Sequence, residues 1–289
     1  MVEDSSNKYI TSLPTKSVFK IFWIKYHLKV SITKIIKFLK YFKALIPKKI
    51  HPLNYLTQRT IAKANGRIVS GPFRGMQYID QAYCSSICPK LVGTYEMEIR
   101  EVILQLLKEH FDAFIDIGSA EGYYTIGFAK YGNCKKVISF ECSEEARQLQ
   151  FELAKLNKVE KKIDLLGQCE CEQLQSEINQ NDKNLILCDI EGYEYALLDL
   201  EKIPELKNCT MVIECHNHVW DKMENALCTR FSNTHQAFSF PAKLDGNPHD
   251  YPFANLYYKM MPRKYKNFPI LDQRASETSW IYLKPLRLN

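Results

Sequence analysis

The 289-residue chain lacks any long apolar run near its beginning, where a membrane-spanning or secretory segment would stand. Between residues 16 and 50, lysines interrupt every apolar run after at most four residues, which excludes a membrane-spanning helix in that segment. The apolar core of a secretory signal does not follow the first residues either. We therefore expect a cytoplasmic protein.

The sequence also lacks a cysteine framework, although it contains 10 cysteines. It has no C-x-x-C pair, and the segment from Cys215 to His218 does not have the ligand spacing of a zinc site. Scattered cysteines of this kind are expected to be reduced thiols in a cytosolic protein. Hydrophobic content of 46% and charged content of 25% are ordinary for a globular chain, so the length suits one large domain with an appendage.

Residues 16–50 lack any acidic residue, while they contain ten lysines. Aromatic and aliphatic residues separate the lysines, as in a basic helix that lies on a membrane surface or against an acidic partner. A packed accessory helix with a solvated basic face explains the segment equally well, and nucleic-acid binding is disfavoured because no recognised fold accompanies the charge. We predict a basic helical extension over residues 1–60 and one domain over residues 61–289. Peripheral membrane contact through Lys16–Lys49 is left open.

The chain is organised around residues 111–128, FDAFIDIGSAEGYYTIGF. An apolar run, a turn of small residues and a second apolar run predict a strand, a tight turn and a helix. Gly118 and Gly122 let the backbone bend sharply, and free N–H groups at the start of the helix would face a ligand. The carboxylate of Asp116, just before the turn, would repel a pyrophosphate but suits a ligand with a cationic end.

A second predicted strand, residues 135–141, also ends in an acid, Glu141. An acid in this position, about one strand–helix unit after the turn, can accept hydrogen bonds from both hydroxyls of a ribose. The alternative is that Glu141 provides a negative charge at the start of the following helix. We favour ribose binding, because it agrees with the ligand-binding turn before it.

Strands and helices then alternate along the chain, which predicts a doubly wound, mostly parallel α/β sheet with helices on both faces. Ligands of such sheets bind outside the carboxyl ends of the strands. Polar residues gather at those predicted ends, at Asp116, Glu141, residues 167–169, Asp189 and His216. The further predicted strands cover residues 162–166, 185–188, 210–215 and 279–283.

These residues carry a resemblance to a known family. The motif D-I-G-S-A-E-G resembles the first motif of class I S-adenosylmethionine-dependent methyltransferases, usually D/E-x-G-x-G-x-G, with Ala120 replacing the middle glycine. Residues 189–194 (D-I-E-G-Y-E) and 213–216 (I-E-C-H) resemble the D-x-E-G-x-E and E-x-H motifs of the FkbM-type methyltransferases. The resemblance covers about residues 71–280 and implies a Rossmann-like fold with a seven-stranded sheet that binds S-adenosylmethionine.

The resemblance also implies which residues hold the cofactor. The amino-acid tail of the cofactor is expected beside Asp116 and its ribose beside Glu141. The full predicted cofactor-binding set is Glu96, Asp116, Gly118, Ser119, Ala120, Gly122, Tyr123, Tyr124, Glu141, Cys142, Gln168, Cys169 and Asp189.

Methyl transfer to an alcohol requires a base close to the acceptor hydroxyl. Asp189 and His216 are the predicted catalytic residues, with Glu191 or Glu214 orienting them. Asp189 could instead cap the following turn or ligate a metal, and His216 could be a surface residue after a strand. The acids and histidines in this part suit Mg²⁺ or a similar divalent ion, but nothing in their spacing demands one, so no metal site is predicted.

The sequence therefore predicts an O-methyltransferase acting on a hydroxyl of a sugar, a glycan or another small polyhydroxylated acceptor. Two alternatives remain: an RNA methyltransferase that uses the basic extension as an electrostatic arm, and a cofactor-binding scaffold without turnover. The base-flipping motif N-P-P-Y is absent, which counts against methylation of DNA amines. Residues 241–276, rich in proline and aromatic residues, are expected to form a lid that selects the substrate.

Overall fold

The computed structural model describes residues 51–178, 183–272 and 278–286. The chain divides into two units, Met1–Asn54 and Tyr55–Asn289. Most of the predicted basic extension, including the segment Lys16–Lys49, lies outside the described residues and stays a prediction. Among the described residues, no helix has both the length and the apolar character needed to cross a membrane.

A seven-stranded sheet forms the centre of the second unit. Its strands are β1 His110–Ile117, β2 Asn133–Phe140, β3 Ile163–Leu166, β4 Asn184–Cys188, β5 Thr210–His216, β6 His235–Pro241 and β7 Thr278–Pro285. The spatial order is β3-β2-β1-β4-β5-β7-β6, with β1 to β5 parallel, β7 antiparallel to β5, and β6 antiparallel to β7. The predicted doubly wound, mostly parallel sheet is confirmed.

Helices cover both faces of this sheet. The α-helices of the described residues are α1 Pro52–Ala64, α2 Ile87–Val92, α3 Arg100–Leu106, α4 Tyr123–Tyr131, α5 Glu144–Asn157, α6 Cys171–Glu177, α7 Glu194–Leu197, α8 Met223–Phe231, α9 Leu256–Met260 and α10 Arg263–Asn267. Neighbouring residues of β1 point to opposite faces, so Phe114 packs in one apolar cluster with α3 to α5 and Ile115 in another with α6 to α8. Burial on both faces explains why the central strands are continuous apolar runs.

The register of the parallel strands aligns their carboxyl ends. Ile117 pairs with Phe140 on one side and with Cys188 on the other, and the same row continues to Leu166 and Ile213. The residues that follow therefore form one row along the edge of the sheet. That row consists of Gly167, Glu141, Gly118, Asp189 and Glu214.

Two elements differ from the sequence-based prediction. Strand β6 was not located, because it is an edge strand with mostly exposed side chains and no apolar run. Helix α2, which begins at Ile87, also has no counterpart in the sequence-based prediction. Pro89 is compatible with this helix because it lies in the first turn, where a backbone N–H has no helical acceptor, and Gly93 ends the helix in a left-handed conformation.

The segment predicted to be a lid packs largely elsewhere. Tyr251, Tyr258 and Ile270 join a third apolar cluster, which includes Leu56 of α1. The Tyr251 hydroxyl lies 3.0 Å from the Thr60 hydroxyl. Of the described residues 241–272, only Asp272 lines the cleft at the strand ends. The described residues 241–272 therefore pack against α1 and do not cover the cleft. Residues 273–276 of the predicted lid lie outside the described residues.

Candidate active site

A cleft of about 950 Å³ lies along the row of strand ends. A site of this size is at the upper end of the range for small-molecule sites, so it has room for a cofactor and part of a second molecule. Eight of the predicted site residues line it: Gly118, Ala120, Glu141, Cys142, Gln168, Cys169, Asp189 and His216.

The turn after β1 is held against both neighbouring strands. Gly118 and Ser119 donate backbone hydrogen bonds to the carbonyl oxygen of Phe140, at 2.9 and 3.2 Å. Gly118 has a φ of +81°, and a Cβ atom at this position would lie 1.7 Å from the carbonyl oxygen of Asp189. Ala120 has a φ of +49°, in the left-handed region that a glycine would occupy at lower cost. The turn thus requires a residue without a side chain at Gly118.

Glu141 connects β2 to this turn. Its Oε2 accepts a hydrogen bond of 2.8 Å from the N–H of Ala120, and its Oε1 accepts one of 2.7 Å from the N–H of Ser143. Each carboxylate oxygen can accept more than one hydrogen bond, so both retain capacity for a ligand. The side chain is therefore fixed in orientation at the edge of the cleft before any ligand arrives.

Asp116 lies two residues before Gly118 of this row and faces the interior, where it is 1% exposed. Its Oδ2 accepts a hydrogen bond of 2.5 Å from the Thr125 hydroxyl, whereas its Oδ1 is buried and has no hydrogen-bond partner. Burial raises the pKa of Asp116 to about 7, and the charges of Asp189 and Glu141 act in the same direction against the Thr125 hydrogen bond. Asp116 is not among the residues that line the cleft, so the expected contact with a cationic tail stays a prediction.

Five other predicted cofactor residues lie behind the cleft wall. The Tyr124 hydroxyl donates a hydrogen bond to Glu96, which is buried. Tyr123 packs edge-on against Tyr95, and the remaining two, Ser119 and Gly122, lie against Gln150 of α5. These contacts pack the turn and the start of α4 against neighbouring elements. Direct contact of these five residues with a cofactor stays a prediction.

A buried ion pair that sequence analysis missed supports the other end of the turn. Lys90 of α2 lines the cleft, and its Nζ lies 2.5 Å from Oε1 of Glu121. Tyr78 also donates a hydrogen bond of 2.7 Å to Glu121. Burial alone would raise the pKa of Glu121, but Lys90 and Tyr78 hold it below its usual value. No motif or periodicity in the sequence around Lys90 indicates this role.

At the end of β5, Glu194 holds His216. Oε1 of Glu194 lies 2.7 Å from Nδ1 of His216, and it accepts hydrogen bonds from the N–H groups of Ile190 and Gly192 at 3.2 and 3.1 Å. The orienting acid at Nδ1 is therefore Glu194, not Glu191 or Glu214 as the sequence suggested. Its place as the last residue of D-I-E-G-Y-E was the available signal.

The ring nitrogen on the other side of His216 faces three carboxylates. Nε2 lies 3.2 Å from Oε2 of Glu191, 3.6 Å from Oδ1 of Asp189 and 3.8 Å from Oε2 of Glu214. Burial works against the charged form of His216, but the hydrogen bond of Glu194 and the charges of Asp189, Glu194 and Glu191 raise its pKa above the usual value. Asp189 and His216, both predicted at strand ends, thus lie close together with Glu214, and these three are the described residues whose ligand atoms could hold a metal ion.

Replacing Glu194 by Gln should lower the free energy of unfolding by about 2 kcal/mol. The Gln oxygen can still accept the existing hydrogen bonds, but the charge that strengthens them is lost, and hydrogen bonds to charged groups contribute about 1.5–3 kcal/mol. Denaturant unfolding at pH 7 measures the change. Glu205→Gln changes a partly exposed acid that does not line the cleft, so it is the control and should cost little. Equal stability of both variants would contradict the role of Glu194.

No protein-family model matches the chain, and no curated protein matches it in sequence. Among solved structures, a protein of Klebsiella pneumoniae that is provisionally described as an O-methyltransferase has 11% identity and a TM-score of 0.42, covering 85% of this chain and 94% of its own. An rRNA methylase of Streptococcus thermophilus has 13% identity and a TM-score of 0.42, covering 63% of this chain and 91% of its own. A precorrin-6y C5,15-methyltransferase of Geobacter metallireducens has 13% identity and a TM-score of 0.42, covering 65% of this chain and 88% of its own. These likenesses are too distant to carry an activity to this chain.

Proposed function

We propose that the chain is a class I S-adenosylmethionine-dependent methyltransferase of the FkbM type, acting on a hydroxyl of a sugar, a glycan or another small polyhydroxylated acceptor. The observation that carries the proposal is the continuous cleft from Glu141, through Gly118, to Asp189 and His216. A carboxylate suited to a ribose and a second polar group suited to an acceptor therefore share one cavity.

The residues at the first end of the cleft fit the nucleoside part of this cofactor. Glu141 is oriented by Ala120 and Ser143 and can accept hydrogen bonds from two ribose hydroxyls. Gln168 and Cys169, which follow β3, line the cleft next to this acid, where the adenine would lie. When bound, the cofactor supplies a methyl group on a cationic sulfur, and the acids along the row favour a cation electrostatically.

Asp189 and His216 are the proposed catalytic residues at the second end. Methyl transfer is an in-line displacement, so the protein contributes mainly by holding the two reactants in line. The acceptor hydroxyl must also lose its proton, and both the Asp189 carboxylate and Nε2 of His216 line the cleft where that proton would leave. Glu194 acts through His216 as a positioning residue, because it fixes the ring by its hydrogen bond to Nδ1.

Glu141→Gln should weaken binding of S-adenosylmethionine by about 100-fold. Each hydrogen bond from a hydroxyl to a carboxylate contributes about 1.5–3 kcal/mol, and the amide keeps only one acceptor oxygen. Isothermal titration calorimetry with the full chain measures the affinity. Glu145→Gln removes the same charge from an exposed position in the first turn of α5 and is the matched control.

The expected result is tight binding by the unaltered chain and by Glu145→Gln, with the loss confined to Glu141→Gln. No binding by the unaltered chain, or the same affinity in both variants, would refute the proposal. Transfer of a labelled methyl group to a glycan pool, lost in Asp189→Ala, would then identify the acceptor class. Cofactor binding without transfer to any pool would favour the scaffold alternative.

The partners of the basic extension are also proposals. Lys16–Lys49 lies outside the described residues, so its membrane contact and its use as an RNA arm depend on the sequence alone. Removal of residues 1–50 should abolish binding to anionic vesicles if the segment contacts membranes. If it binds RNA instead, the truncation should remove a steeply salt-dependent RNA affinity.

A further inference from the structure

We infer that Asp189, Glu214 and His216 form a binding site for one divalent metal ion at the acceptor end of the cleft. Their ligand atoms all lie within 4.8 Å of one another. They come from the ends of two adjacent parallel strands, β4 and β5, which hold them in a fixed register through the pairing of Cys188 with Ile213.

The hydrogen bonding of His216 directs a lone pair into this group. Nδ1 lies 2.7 Å from Oε1 of Glu194, an acceptor, so Nδ1 carries the proton of the neutral ring. Nε2 then carries the lone pair, and it faces carboxylate oxygens of Glu191, Asp189 and Glu214 at 3.2 to 3.8 Å. A lone pair directed at carboxylates is repelled by them, so the geometry calls for a positive charge at this point, either a proton on Nε2 or a metal ion that displaces it.

Burial strengthens this requirement. His216 is 3% exposed and Glu214 is buried as well, so water screens their charges poorly. Oδ1 of Asp189, the atom that faces Nε2, is buried and has no hydrogen-bond partner. Several carboxylates close together in a poorly solvated place destabilise one another unless they are protonated or share a cation. A metal ion would satisfy the unpartnered oxygen and the ring nitrogen at once.

The surroundings have the second layer of contacts that metal-binding histidines usually need. A ligating histidine donates its other N–H to a carboxylate or carbonyl, which fixes the ring and makes it a better ligand. Glu194 does this for His216 and is itself fixed by the N–H groups of Ile190 and Gly192. Glu191 is 77% exposed on a turn with a φ of +55°, so it can supply a further oxygen without repacking the core.

Two carboxylates and one imidazole form a mixed set of oxygen and nitrogen ligands. Oxygen ligands suit Mg²⁺ and Mn²⁺, whereas imidazole favours transition metals, so Mn²⁺ is a suitable probe. Three protein ligands leave other coordination positions for water or for oxygen atoms of an acceptor, such as neighbouring hydroxyls. That last role rests on the proposed function and would make His216 a ligand rather than the base; metal binding itself does not depend on methyl transfer.

Titration of the full chain with Mn²⁺ alone, followed by electron paramagnetic resonance, tests the site. We expect one saturable Mn²⁺ per chain, and at least 10-fold weaker binding in both Glu214→Gln and Asp189→Asn. Electron spin echo modulation should detect a ¹⁴N coupling from His216 in the unaltered protein that disappears in His216→Gln. Glu109→Gln removes an acid at the opposite end of the sheet, just before β1, and should bind Mn²⁺ normally.

Circular dichroism of each variant shows whether it is folded. Asp189→Asn is the variant least prone to misfold, because the Asp189 side chain is 25% exposed. No saturable binding by the unaltered chain, full affinity in either folded acid variant, or a bound ion without the ¹⁴N coupling would overturn the site. Calorimetry with S-adenosylmethionine on the same samples separates this outcome from failure of the proposed function, because cofactor binding depends on Glu141.

Discussion

Gly118→Ala is expected to lower the free energy of unfolding by about 3 kcal/mol or more, a large fraction of the stability of a typical domain. The new Cβ atom would lie 1.7 Å from the carbonyl oxygen of Asp189, and the positive φ of +81° adds backbone strain. The contacting atom belongs to the backbone, so no side chain can rotate away. Relief requires the ends of β1 and β4 to separate, which opens the cleft. Denaturant unfolding, followed by circular dichroism, measures the change.

Gly167→Ala is the matched control for this experiment. Gly167 follows β3 in the same row of strand ends, but a Cβ atom there meets nothing within 4 Å. Its substitution should change the stability by no more than about 0.5 kcal/mol. A Gly118→Ala chain as stable as Gly167→Ala would show that the close approach of β1 and β4 is not required.

Asp116→Asn should stabilise the cofactor-free chain relative to the unaltered protein at neutral pH, and the advantage should vanish near pH 4. Asp116 has an ordinary pKa of 3.8, which burial raises to about 7 in the folded chain. Below the lower value the carboxyl is protonated in both folded and unfolded chains and costs nothing. As the pH rises to the higher value, the folded chain must either keep the proton or bury a charge. Each pH unit between the two values costs about 1.4 kcal/mol, so the loss reaches about 4 kcal/mol at most.

Denaturant unfolding of Asp116→Asn and of the unaltered chain is measured between pH 4 and pH 8. The difference between their free energies of unfolding at each pH cancels the contribution of the other titrating groups. Asp112→Asn is a control of opposite sign, because Lys135 and the N–H of Lys183 lower the pKa of Asp112 to about 2. Asp112 therefore contributes stability above its ordinary pKa, and this is lost as the pH falls. A pH-independent difference for Asp116→Asn would contradict the buried, unpartnered state of its Oδ1.

The strand ends were predictable because two simple signals coincide there. Buried parallel strands are apolar runs, and the polar residue that follows each run is placed by the register alone, as for Glu141 and Asp189. Glu214 and His216 lie two residues apart on β5, so their shared direction also follows from the sequence. The outline of the cleft required no knowledge of long-range packing.

The remaining features depend on contacts between distant parts of the chain. Lys90 and Glu121 are 31 residues apart, and neither has a local pattern that indicates the other. Glu194 precedes His216 by 22 residues and reaches it only because α7 packs against β5. Strand β6 is mostly exposed, so hydrophobic periodicity does not detect it.

The position of β7 has a consequence for how the protein is made. Strand β5, which carries Glu214 and His216, has β4 on one side and β7 on the other, and β6 joins the sheet only through β7. A ribosome releases residues 278–285 only after the other six strands, so until then β5 presents an unpaired edge to the cell. Nascent chains that stall shortly before this point should recruit chaperones or aggregate through that edge, while the turn at Gly118 is already enclosed by β1, β2 and β4.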